Sequence, residues 1–475
     1  MDSSADFIML ETIHGGKLPI VCGFEYMAKR KNDSHTVYLC NENKKGCRSR
    51  IKISNSKPYQ LLPHKTRPHN HLPLTVGQVE AKIARQKMTR EIKQHVHKPS
   101  QLISNEFSRL SPNAQPHIAS KETIKRQLRR AASTEFPANP KTLQELVLAG
   151  EWRETIDGEQ WLIYESPQED KERMLVFSTE EGLKRLSEAE TFLMDGMFSV
   201  PPLFKQLYTI HVPSEGSTMP VVYALLPRKN EPTYCKLFQV INMACEELQI
   251  PTPDPDNIII DFETGVKNVI DQEYPSSNMR GCFFHLHQSM QRWLRAKKII
   301  KCYRDDHFFL IYNMLKSLAF LPVEDVVHVF HEVQAACRTW EEKAFAKYFG
   351  ETYVTKYGRN GRLRAALFPP HTWNLHHAIL EGQPLTNNST EAWHRKLQTI
   401  MNTDSPSIFQ FILALKKENQ ANEVELVQRE VGTVEPVHNA SSRERAAKIV
   451  KVLANYGIRG VKPIDLLYKL AYCYI

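Results

Sequence analysis

The stretch Asn257-Ile258-Ile259-Ile260-Asp261-Phe262-Glu263 predicts the central strand of the larger part of this chain. Three consecutive β-branched residues are typical of a strand buried on both faces, in a sheet covered by helices. The strand ends on two carboxylates that flank a phenylalanine. Burying a carboxylate is costly unless a positive group meets it, and a divalent metal ion is a common partner. One acid proves little, so other carboxylates must reach the same place.

Length and composition indicate a multidomain globular protein. A chain of 475 residues is too long for one ordinary core, so two or three domains are expected. No apolar run is long enough for a membrane span, and the first residues, MDSSADF, lack the pattern of a signal peptide. The nine cysteines are scattered and odd in number, which favours a reducing compartment with metal-binding or buried thiols.

The positive charge is concentrated near the N-terminus. Residues 1–135 contain 24 Lys and Arg against 11 Asp and Glu, a net charge of +13 within a total of +9. The remainder of the chain therefore carries −4. A basic N-terminal third on a near-neutral body favours a module that meets a polyanion, most simply nucleic acid. The alternative is a soluble basic surface with no partner.

The first 75 residues predict a small β module that needs a metal. Ile20–Tyr26 and Thr36–Cys40 are strand-like, and the polar residues Lys29–Ser34 between them predict a hairpin turn. The module has too few apolar residues for a core that stands alone. A staple is supplied by two thiols and two imidazoles, which form a closed tetrahedral shell for Zn²⁺: Cys40, Cys47, His69 and His71.

These residues resemble the FLYWCH zinc finger. The likeness includes the strand Gly23–Tyr26, the segment Tyr38-Leu39-Cys40 and the pair His69-Asn70-His71. The chain departs from the family at Leu39, where the motif has Trp, but the ligands are intact. Exposed basic residues around such a module are candidates for DNA phosphate contacts, which position a protein without specifying sequence: Lys29, Arg30, Lys31, Lys44, Lys45, Arg48 and Arg50.

Residues 136–300 predict a mixed sheet. Strands over 191–198, 207–212 and 219–226 form a meander, and they are followed by a helix (234–248), the strand ending in Asp261, a second helix and the strand 279–284. This is the order of an RNase H-like fold, with helices on both faces. Upstream of it, residues 141–150 predict a helix, and Ser178 predicts the cap of a helix over 179–188.

The strand order brings a second acid to Asp261. The first and fourth strands of this fold are neighbours, so Asp195 and Asp261 converge although 66 positions separate them. Two carboxylates at one point repel unless a metal neutralises both. Hard oxygen ligands select Mg²⁺ or Mn²⁺, and a pair of such ions serves phosphodiester chemistry. Glu263 is not expected to join them, because strand alternation directs it elsewhere.

A third acid, Glu391, lies in the first turn of a helix, where it could also be only a dipole partner. Together with Asp195–Phe198, Asp261–Glu263 and Cys282–His285, it resembles the core of the Mutator-like (MULE) transposases over about residues 190–400. The resemblance implies an Asp-Asp-Glu catalytic triad at Asp195, Asp261 and Glu391 and a Cys-x-x-His pair beside it. From the residues alone, Cys282 and His285 are a buried thiol and a first-turn histidine.

The predicted domains are therefore a zinc finger (1–75), a basic helical connector (76–135), the first part of the core (136–300), a helical insertion (301–385), the last core helices (386–430) and a C-terminal helical tail (431–475). The block of about 130 residues between Asp261 and Glu391 is too long for a loop, which is why a helical insertion is expected. The connector resembles the helical region between finger and core in the same transposases. It could be a DNA-binding bundle or a solvated linker.

The predicted function is metal-dependent DNA cleavage and strand transfer by a transposase-like α/β protein with an RNase H-like core and a zinc-stapled β module. Expected cofactors are structural Zn²⁺ and catalytic Mg²⁺ or Mn²⁺. The expected partner is double-stranded DNA, the terminal repeats of an element, bound by a homo-oligomer in the nucleus without membrane association. One alternative is a catalytically silent DNA-binding regulator that keeps the scaffold. Another is an RNase H-like ribonuclease.

Overall fold

A computed structural model describes residues 7–11, 16–94, 99–133, 136–198, 201, 203–214, 217–357, 363–401, 406–432, 440–457 and 460–474. The chain divides into two compact units, which are Met1–Asn139 with Ile400–Gln410 and Pro140–Thr399 with Phe411–Ile475. In the part of the chain that the structure describes, no helix is long and apolar enough to cross a membrane.

The first unit begins with a six-stranded antiparallel meander in which each strand pairs with the next. The strands are β1 (Phe7–Glu11), β2 (Lys17–Val21), β3 (Phe24–Lys31), β4 (His35–Cys40), β5 (Arg50–Ser54) and β6 (Leu61–Leu62). Its apolar cluster is small and includes the two thiols Cys40 and Cys47 among residues such as Tyr26, Tyr38 and Ile53. So small a core accords with the need for a further staple.

Two details of this sheet differ from the sequence prediction. Lys29–Lys31 lie inside β3, so the hairpin turn is shorter than predicted and falls on residues 32–34. The run 20–26 is broken by a turn at Cys22-Gly23, where Gly23 has φ +80°. A side chain on Gly23 would also collide with Pro73, 2.9 Å away. Glycine is required here because the chain just after the two histidines passes directly over this turn.

In the described part of the first unit the sheet is followed by the helices α1 (Val76–Gln94), α2 (Pro99–Phe107) and α3 (Lys121–Ser133). They share a core built from side chains of all three, including Met88, Ile103, Ile124 and Leu128. The connector is therefore a packed bundle rather than a set of separate solvated helices. After Phe107 the chain forms turns and a short 3₁₀ segment at Gln115–His117 before α3 begins.

The second unit contains a seven-stranded mixed sheet in the order β13-β12-β9-β10-β11-β8-β7. Its strands are β7 (Leu162–Glu165), β8 (Leu175–Phe177), β9 (Thr191–Met197), β10 (Gln206–Ser214), β11 (Ser217–Leu226), β12 (Asn257–Ile260) and β13 (Asn278–Gly281). β9 to β11 form an antiparallel meander, while β12 is parallel to both β9 and β13. The predicted adjacency of the first and fourth strands is confirmed, since Ile258 stands opposite Phe192.

Helices cover this sheet and continue into the insertion and the tail. They are α4 (Glu180–Glu188), α5 (Glu231–Glu247), α6 (Thr264–Glu273), α7 (Phe283–Ala296), α8 (Asp306–Ser317), α9 (Val323–Ala336), α10 (Trp340–Phe349), α11 (His376–Leu380), α12 (Asn388–Met401), α13 (Ile408–Glu430), α14 (Ala440–Leu453) and α15 (Pro463–Tyr472). The insertion also contains an unpredicted hairpin, β14 (Thr355–Tyr357) and β15 (Leu363–Ala365). Residues of α14 and α15, among them Ile449 and Leu470, are buried in the same cluster as α8 and α9.

Three local predictions in this unit were wrong. Residues 141–150 form turns instead of a helix. The cap of α4 is Thr179, whose hydroxyl accepts from the Gly182 N–H, while the Ser178 hydroxyl donates to the Val221 carbonyl on β11. The strand predicted over 279–284 stops at Gly281, and Phe283 already belongs to α7. In each case a tertiary contact or turn overrides local propensity.

Replacing Gly281 by alanine should destabilise the second unit and disturb the neighbourhood of Asp261. A Cβ atom there would lie 2.6 Å from the Phe262 ring. That ring is itself packed at 5.0 Å from Phe368 and 5.4 Å from Tyr353, centroid to centroid, so it has little room to move. We expect a loss of about 1–3 kcal/mol in the free energy of unfolding, measured by urea denaturation.

Gly265→Ala is the matched control. Gly265 lies in the first turn of α6, and the nearest atom to its Cβ would be 3.6 Å away, an ordinary contact. This variant should unfold at the same or a slightly higher urea concentration, because alanine is the better helix former. Equal midpoints for the two variants would show that Phe262 yields freely.

Candidate functional site

The first unit brings together the four predicted zinc ligands. Cys40 ends β4, Cys47 follows the 3₁₀ turn at Asn41–Lys45, and the two histidines lie in the extended chain before α1. One ligand atom from each of Cys40, Cys47, His69 and His71 lies within 4.8 Å of the others. Cys40 and Cys47 are buried, and the histidines are half-buried.

The separations suit a tetrahedral ion. Sγ of Cys40 lies 3.1 Å from Nε2 of His71, and Sγ of Cys47 lies 3.3 Å from Nδ1 of His69. The two imidazole nitrogens are 3.2 Å apart. Zinc bonds to sulfur and nitrogen of about 2.3 and 2.0 Å imply ligand-to-ligand distances of about 3.3–3.6 Å. The donor set and its spacing therefore fit a structural zinc ion.

Contacts behind the ligands fix which nitrogen of each imidazole faces the cluster. The Tyr26 hydroxyl lies 3.0 Å from Nε2 of His69, which leaves Nδ1 for the metal. Nδ1 of His71 donates to the Leu72 carbonyl at 3.0 Å, which leaves Nε2. The Phe24 ring stacks on His69 with centroids 3.6 Å apart. Metal-bound histidines commonly have such partners on the second nitrogen. Tyr26, a residue of the finger motif, therefore orients the His69 ring through its hydroxyl.

The two thiols differ in how readily they ionise. Burial raises the pKa of Cys40 to about 11. Burial also opposes ionisation of Cys47, but hydrogen bonds with the Ser49 backbone and the Cys40 thiol outweigh it and lower its pKa. Without a metal, at least the Cys40 thiol therefore keeps its proton at neutral pH. Zinc binding would displace that proton, because the metal binds the thiolate.

The basic residues predicted to contact DNA are all exposed. Lys29, Arg30 and Lys31 end β3, Lys44 and Lys45 lie on the 3₁₀ turn between the two zinc cysteines, and Arg48 and Arg50 follow them. Lys45 makes a solvent-exposed ion pair with Glu42 at 2.8 Å. Such a pair contributes little to stability and is easily exchanged for a phosphate.

In the second unit, two of the three predicted acids lie together. Asp195 is on β9 and Glu391 is in the first turn of α12; with His285 they offer ligand atoms within 4.8 Å of one another. Asp261, directly after β12, lies beside this group, with Oδ1 3.8 Å from Nδ1 of His285. The side chain of Asp261 is 45% exposed, against 7% for Asp195. Asp261 is therefore the outer acid of the set.

Backbone hydrogen bonds hold one oxygen of each aspartate. Oδ1 of Asp195 accepts from the Gly196 N–H at 2.8 Å, and Oδ1 of Asp261 accepts from the Phe262 N–H at 2.5 Å. These bonds fix the two carboxylates at the ends of neighbouring parallel strands. Oxygen atoms on three carboxylates are the donors that Mg²⁺ or Mn²⁺ prefers.

Cys282 and Asn387 hold Glu391 against the sheet. The Asn387 N–H donates to the Cys282 sulfur at 3.1 Å, and the Asn387 side chain donates to the Met194 carbonyl at 3.0 Å. Met194 precedes Asp195, so the side-chain bond ties the start of α12 directly to β9, while the bond to Cys282 ties it to the start of α7. Cys282 is fully buried, and burial raises its pKa to about 12. It therefore acts as a neutral hydrogen-bond acceptor rather than as a nucleophile or metal ligand.

His285 stands between two acids. Its Nε2 lies 3.3 Å from Oε1 of Glu391, and its Nδ1 faces Asp261. The contact between Nε2 of His285 and Oε1 of Glu391 is close but poorly aligned, so within the described residues the buried Oε1 has no hydrogen-bond partner. Nδ1 of His285, on the other side of the ring, is also buried and also has none among these residues. A site for a cation or an ordered water molecule commonly contains such buried polar atoms without a protein partner.

The charge balance at Glu391 also favours a cation. Burial, followed by the negative charge of Asp195, raises the pKa of Glu391 to about 7. The charge of Asp261 acts in the same direction, and Arg395 partly offsets it. Burial and neighbouring negative charge thus favour the protonated carboxyl group, and a positive ion at this point would favour the carboxylate.

His394 is a site residue that the sequence prediction missed. Its Nδ1 lies 3.3 Å from Oδ2 of Asp195, and its Nε2 lies 3.1 Å from the Thr209 hydroxyl. That hydroxyl also contacts Nε2 of the fully buried His211 at 3.1 Å. His394 follows Glu391 by three positions, so the two share a helix face. This spacing was the available signal.

Glu263 lies apart from the group, as predicted, but strand alternation is not the reason, because β12 ends at Ile260 and alternation would place residues 261 and 263 on the same face. Its carboxylate accepts a hydrogen bond from the Tyr234 hydroxyl at 2.7 Å and pairs with Nζ of Lys229 at 3.0 Å. Both oxygens are therefore committed to other partners. Glu263 provides a carboxylate near the site that can be altered without removing a candidate ligand.

The comparisons with known proteins bear on this region. The family model of the MULE transposase domain matches residues 191–289, about a fifth of the chain. The matched span includes Asp195, Asp261, Cys282 and His285 and ends before Glu391. A search of the curated proteins found no match to this chain. The match supports a transposase domain of the MULE type and does not reach the N-terminal cluster.

Replacing both Cys40 by serine and His71 by alanine should abolish zinc binding. Two of four ligands are then lost, and the small sheet loses its staple. We expect about one zinc ion per wild-type chain and none in the variant, measured by plasma mass spectrometry after dialysis. Zinc retained by the double variant would contradict the ligand assignment.

Two further variants sharpen that measurement. Tyr26→Phe keeps all four ligands and removes only the hydroxyl behind His69, so zinc affinity should fall by roughly 10–100-fold. His64→Ala changes an exposed histidine outside the cluster and should leave zinc content and affinity unchanged.

Binding of Mn²⁺ at the acidic group should weaken as the pH falls below about 7. Glu391 has a raised pKa, so below it the ion must displace a proton. Affinity should drop by up to about tenfold per pH unit between pH 7 and 6. Titration calorimetry with Mn²⁺ at several pH values measures this dependence.

Two variants control that titration. Glu391→Gln should bind Mn²⁺ more weakly but with a flatter pH profile, because the displaced proton is gone. Glu263→Gln, whose carboxylate lies outside the group, should keep the wild-type profile. A wild-type affinity that does not change over this pH range would contradict the assignment of Glu391.

Proposed function

We propose that this protein is a MULE-type DNA transposase, which cleaves DNA and transfers strands with divalent metal ions held by Asp195, Asp261 and Glu391. The observation that carries the proposal is the meeting of Asp195, His285 and Glu391 at one point, with Asp261 beside them, although they come from separate parts of the chain. Two of these acids lie within the residues matched by the MULE domain.

The sheet supports the same proposal. Five of its strands, β13-β12-β9-β10-β11, have the connectivity of an RNase H-like core, with the first strand central and parallel to the fourth. Asp195 on β9 and Asp261 directly after β12 belong to neighbouring parallel strands, which supports this assignment. We infer an RNase H-like fold with a helical insertion between the second and third acids.

The residues of the site have separable tasks in such a reaction. When bound, Mg²⁺ or Mn²⁺ would activate the attacking oxygen and stabilise the leaving one. Asp195, Asp261 and Glu391 supply the ligand oxygens. His394 orients Asp195, and His285 lies between Asp261 and Glu391, within reach of a DNA phosphate or of the attacking group. Cys282 and Asn387 keep Glu391 in register with the sheet, so we assign them a positioning role.

The first unit would supply DNA binding. We propose that the Cys40–His71 cluster is a FLYWCH-type zinc finger whose exposed lysines and arginines contact phosphates. The helical bundle adds a second basic surface, since Lys121, Arg126 and Arg129 of α3 are exposed. Two basic modules in one unit suit a double-stranded DNA partner, such as the terminal repeats of an element. A nuclear location and a homo-oligomer on DNA follow from this function.

One observation favours the alternative of a silent DNA-binding regulator. Asp261 lies outside the tight group formed by Asp195, His285 and Glu391, and nearly half of its side chain is exposed. A site that no longer needs its outer acid would tolerate this arrangement. The same arrangement also suits an enzyme in which Asp261 meets an ion that arrives with the DNA.

Nicking of supercoiled plasmid DNA tests the enzyme. Wild-type protein should nick the plasmid in Mg²⁺ or Mn²⁺ and not in EDTA. Asp195→Asn, Asp261→Asn and Glu391→Gln should each fall to the metal-free background, because each removes a ligand charge with little change in volume. Gel electrophoresis of the relaxed form gives the rate, and Glu263→Gln should retain wild-type activity.

The outcome separates the three functions. Equal, metal-independent background in wild type and Asp261→Asn would refute the enzyme and leave the regulator. Cleavage of an RNA–DNA hybrid with no cleavage of duplex DNA would instead support a ribonuclease.

A further inference from the structure

A cavity of about 440 Å³ lies next to the acidic group in the second unit. Its walls come from α7, α8, the segment that leads into α12, α14 and the chain after α15. The residues that matter here are Phe283, Phe284, Lys316, Asn388, Arg445 and Tyr474. Phe284 immediately precedes His285, and Asn388 lies three positions before Glu391 on the same helix. The cavity and the acidic group are therefore built on the same two helices.

Lys316 is an unusual residue for such a wall. Its side chain is 92% buried, since only 8% is exposed, and lysine is almost never buried without a partner. Within the described residues no carboxylate pairs with it, and none of the residues that line the cavity is acidic. Its ammonium instead lies 3.5 Å from the centre of the Tyr474 ring. Burial, with Arg445 acting in the same direction, lowers its pKa to about 7.

The remaining walls combine aromatic faces with a second cation. Phe283 and Tyr474 lie together with ring centroids 6.1 Å apart, and Arg445 lies 5.3 Å from the Tyr474 ring. Asn388 begins α12, a helix of 14 residues whose positive end favours an anion. Aromatic faces stack on nucleobases of any sequence, and buried cations pair with phosphate. The volume falls in the range of about 300–1,000 Å³ that holds ligands of nucleotide size.

We propose that this cavity binds one nucleotide of a DNA strand, with its phosphate on Lys316 and Arg445 and its base against Tyr474 and Phe283. The identity of the strand as DNA rests on the proposed function. The site would hold a strand beside the acidic group. The C-terminal segment would take part in this binding, because it contributes both Arg445 and Tyr474. It is separate from the basic surfaces of the first unit.

Photocrosslinking of the full-length protein tests the cavity directly. The probe is a single-stranded 12-mer with a 5′ phosphate and 5-iododeoxyuridine at its first position, irradiated in EDTA so that no cleavage occurs. Crosslinked peptides, identified by mass spectrometry, should contain Phe283, Phe284 or Tyr474. Lys316→Met should reduce the crosslink yield by roughly tenfold or more, because a buried charge-assisted contact is lost.

Controls separate binding from folding. Lys316→Met removes an unpaired buried charge, so its thermal midpoint should equal or exceed that of the wild type. Arg445→Gln alters an exposed side chain and should reduce the yield without changing the midpoint. Lys343→Met removes the same charge from an exposed position of α10 and should leave the yield unchanged. Crosslinks that map only to residues outside the cavity, or an undiminished cavity crosslink in folded Lys316→Met, would overturn the proposal.

The readout is independent of catalysis. If plasmid nicking fails but the crosslink maps to the cavity and depends on Lys316, the nucleotide site stands and the proposed enzyme falls. If nicking depends on Asp261 and no crosslink forms in the cavity, the enzyme stands and the nucleotide site falls.

Discussion

The parallel pairing of β9 with β12 is the constraint on which the second unit depends. It brings Asp195 and Asp261 close together on two neighbouring strands inside the sheet. Each carboxylate accepts a hydrogen bond from the following backbone N–H. Glu391 then adds a third negative charge from α12. Burial of Glu391, together with the nearby negative charge of Asp195, raises the pKa of its carboxyl group.

Histidine and cysteine contribute to the two sites in opposite ways. In the first unit they form the cluster of two thiols and two imidazoles that can hold a metal ion, beside a small apolar core. In the second unit Cys282 and His394 position the acids of a core that is already large. A thiol that accepts the Asn387 N–H and an imidazole that contacts Asp195 need no metal to persist. The same residue types thus form the cluster in one unit and position the acids in the other.

The insertion and the C-terminal tail share one hydrophobic core. Ile449, Leu467 and Leu470 of the tail are buried with Leu315 and Val329 of the insertion. Packing of this kind holds Arg445 and Tyr474 near Lys316, although they lie 129 and 158 positions further along the chain. A buried lysine with no acid beside it is costly. A bound anion such as a phosphate would offset this cost by pairing with the Lys316 ammonium group.

The sequence alone predicted the strand pattern, the four Cys and His residues that the structure brings together and the three acids, because strands have a local periodicity and metal sites use chemically distinctive residues. It also predicted that Glu263 lies outside the acidic group, although the reason is its contacts with Tyr234 and Lys229 rather than strand alternation. It misplaced the helix over 141–150, the cap at Ser178 and the end of β13, since turns and tertiary hydrogen bonds outweigh local propensity there.

Only the tertiary structure decided how Cys282, Asn387 and His394 support the acids and that Lys316 faces an aromatic cavity. Each of these depends on contacts between residues about 100 or more positions apart. No local pattern encodes such contacts, because they arise when the whole core packs.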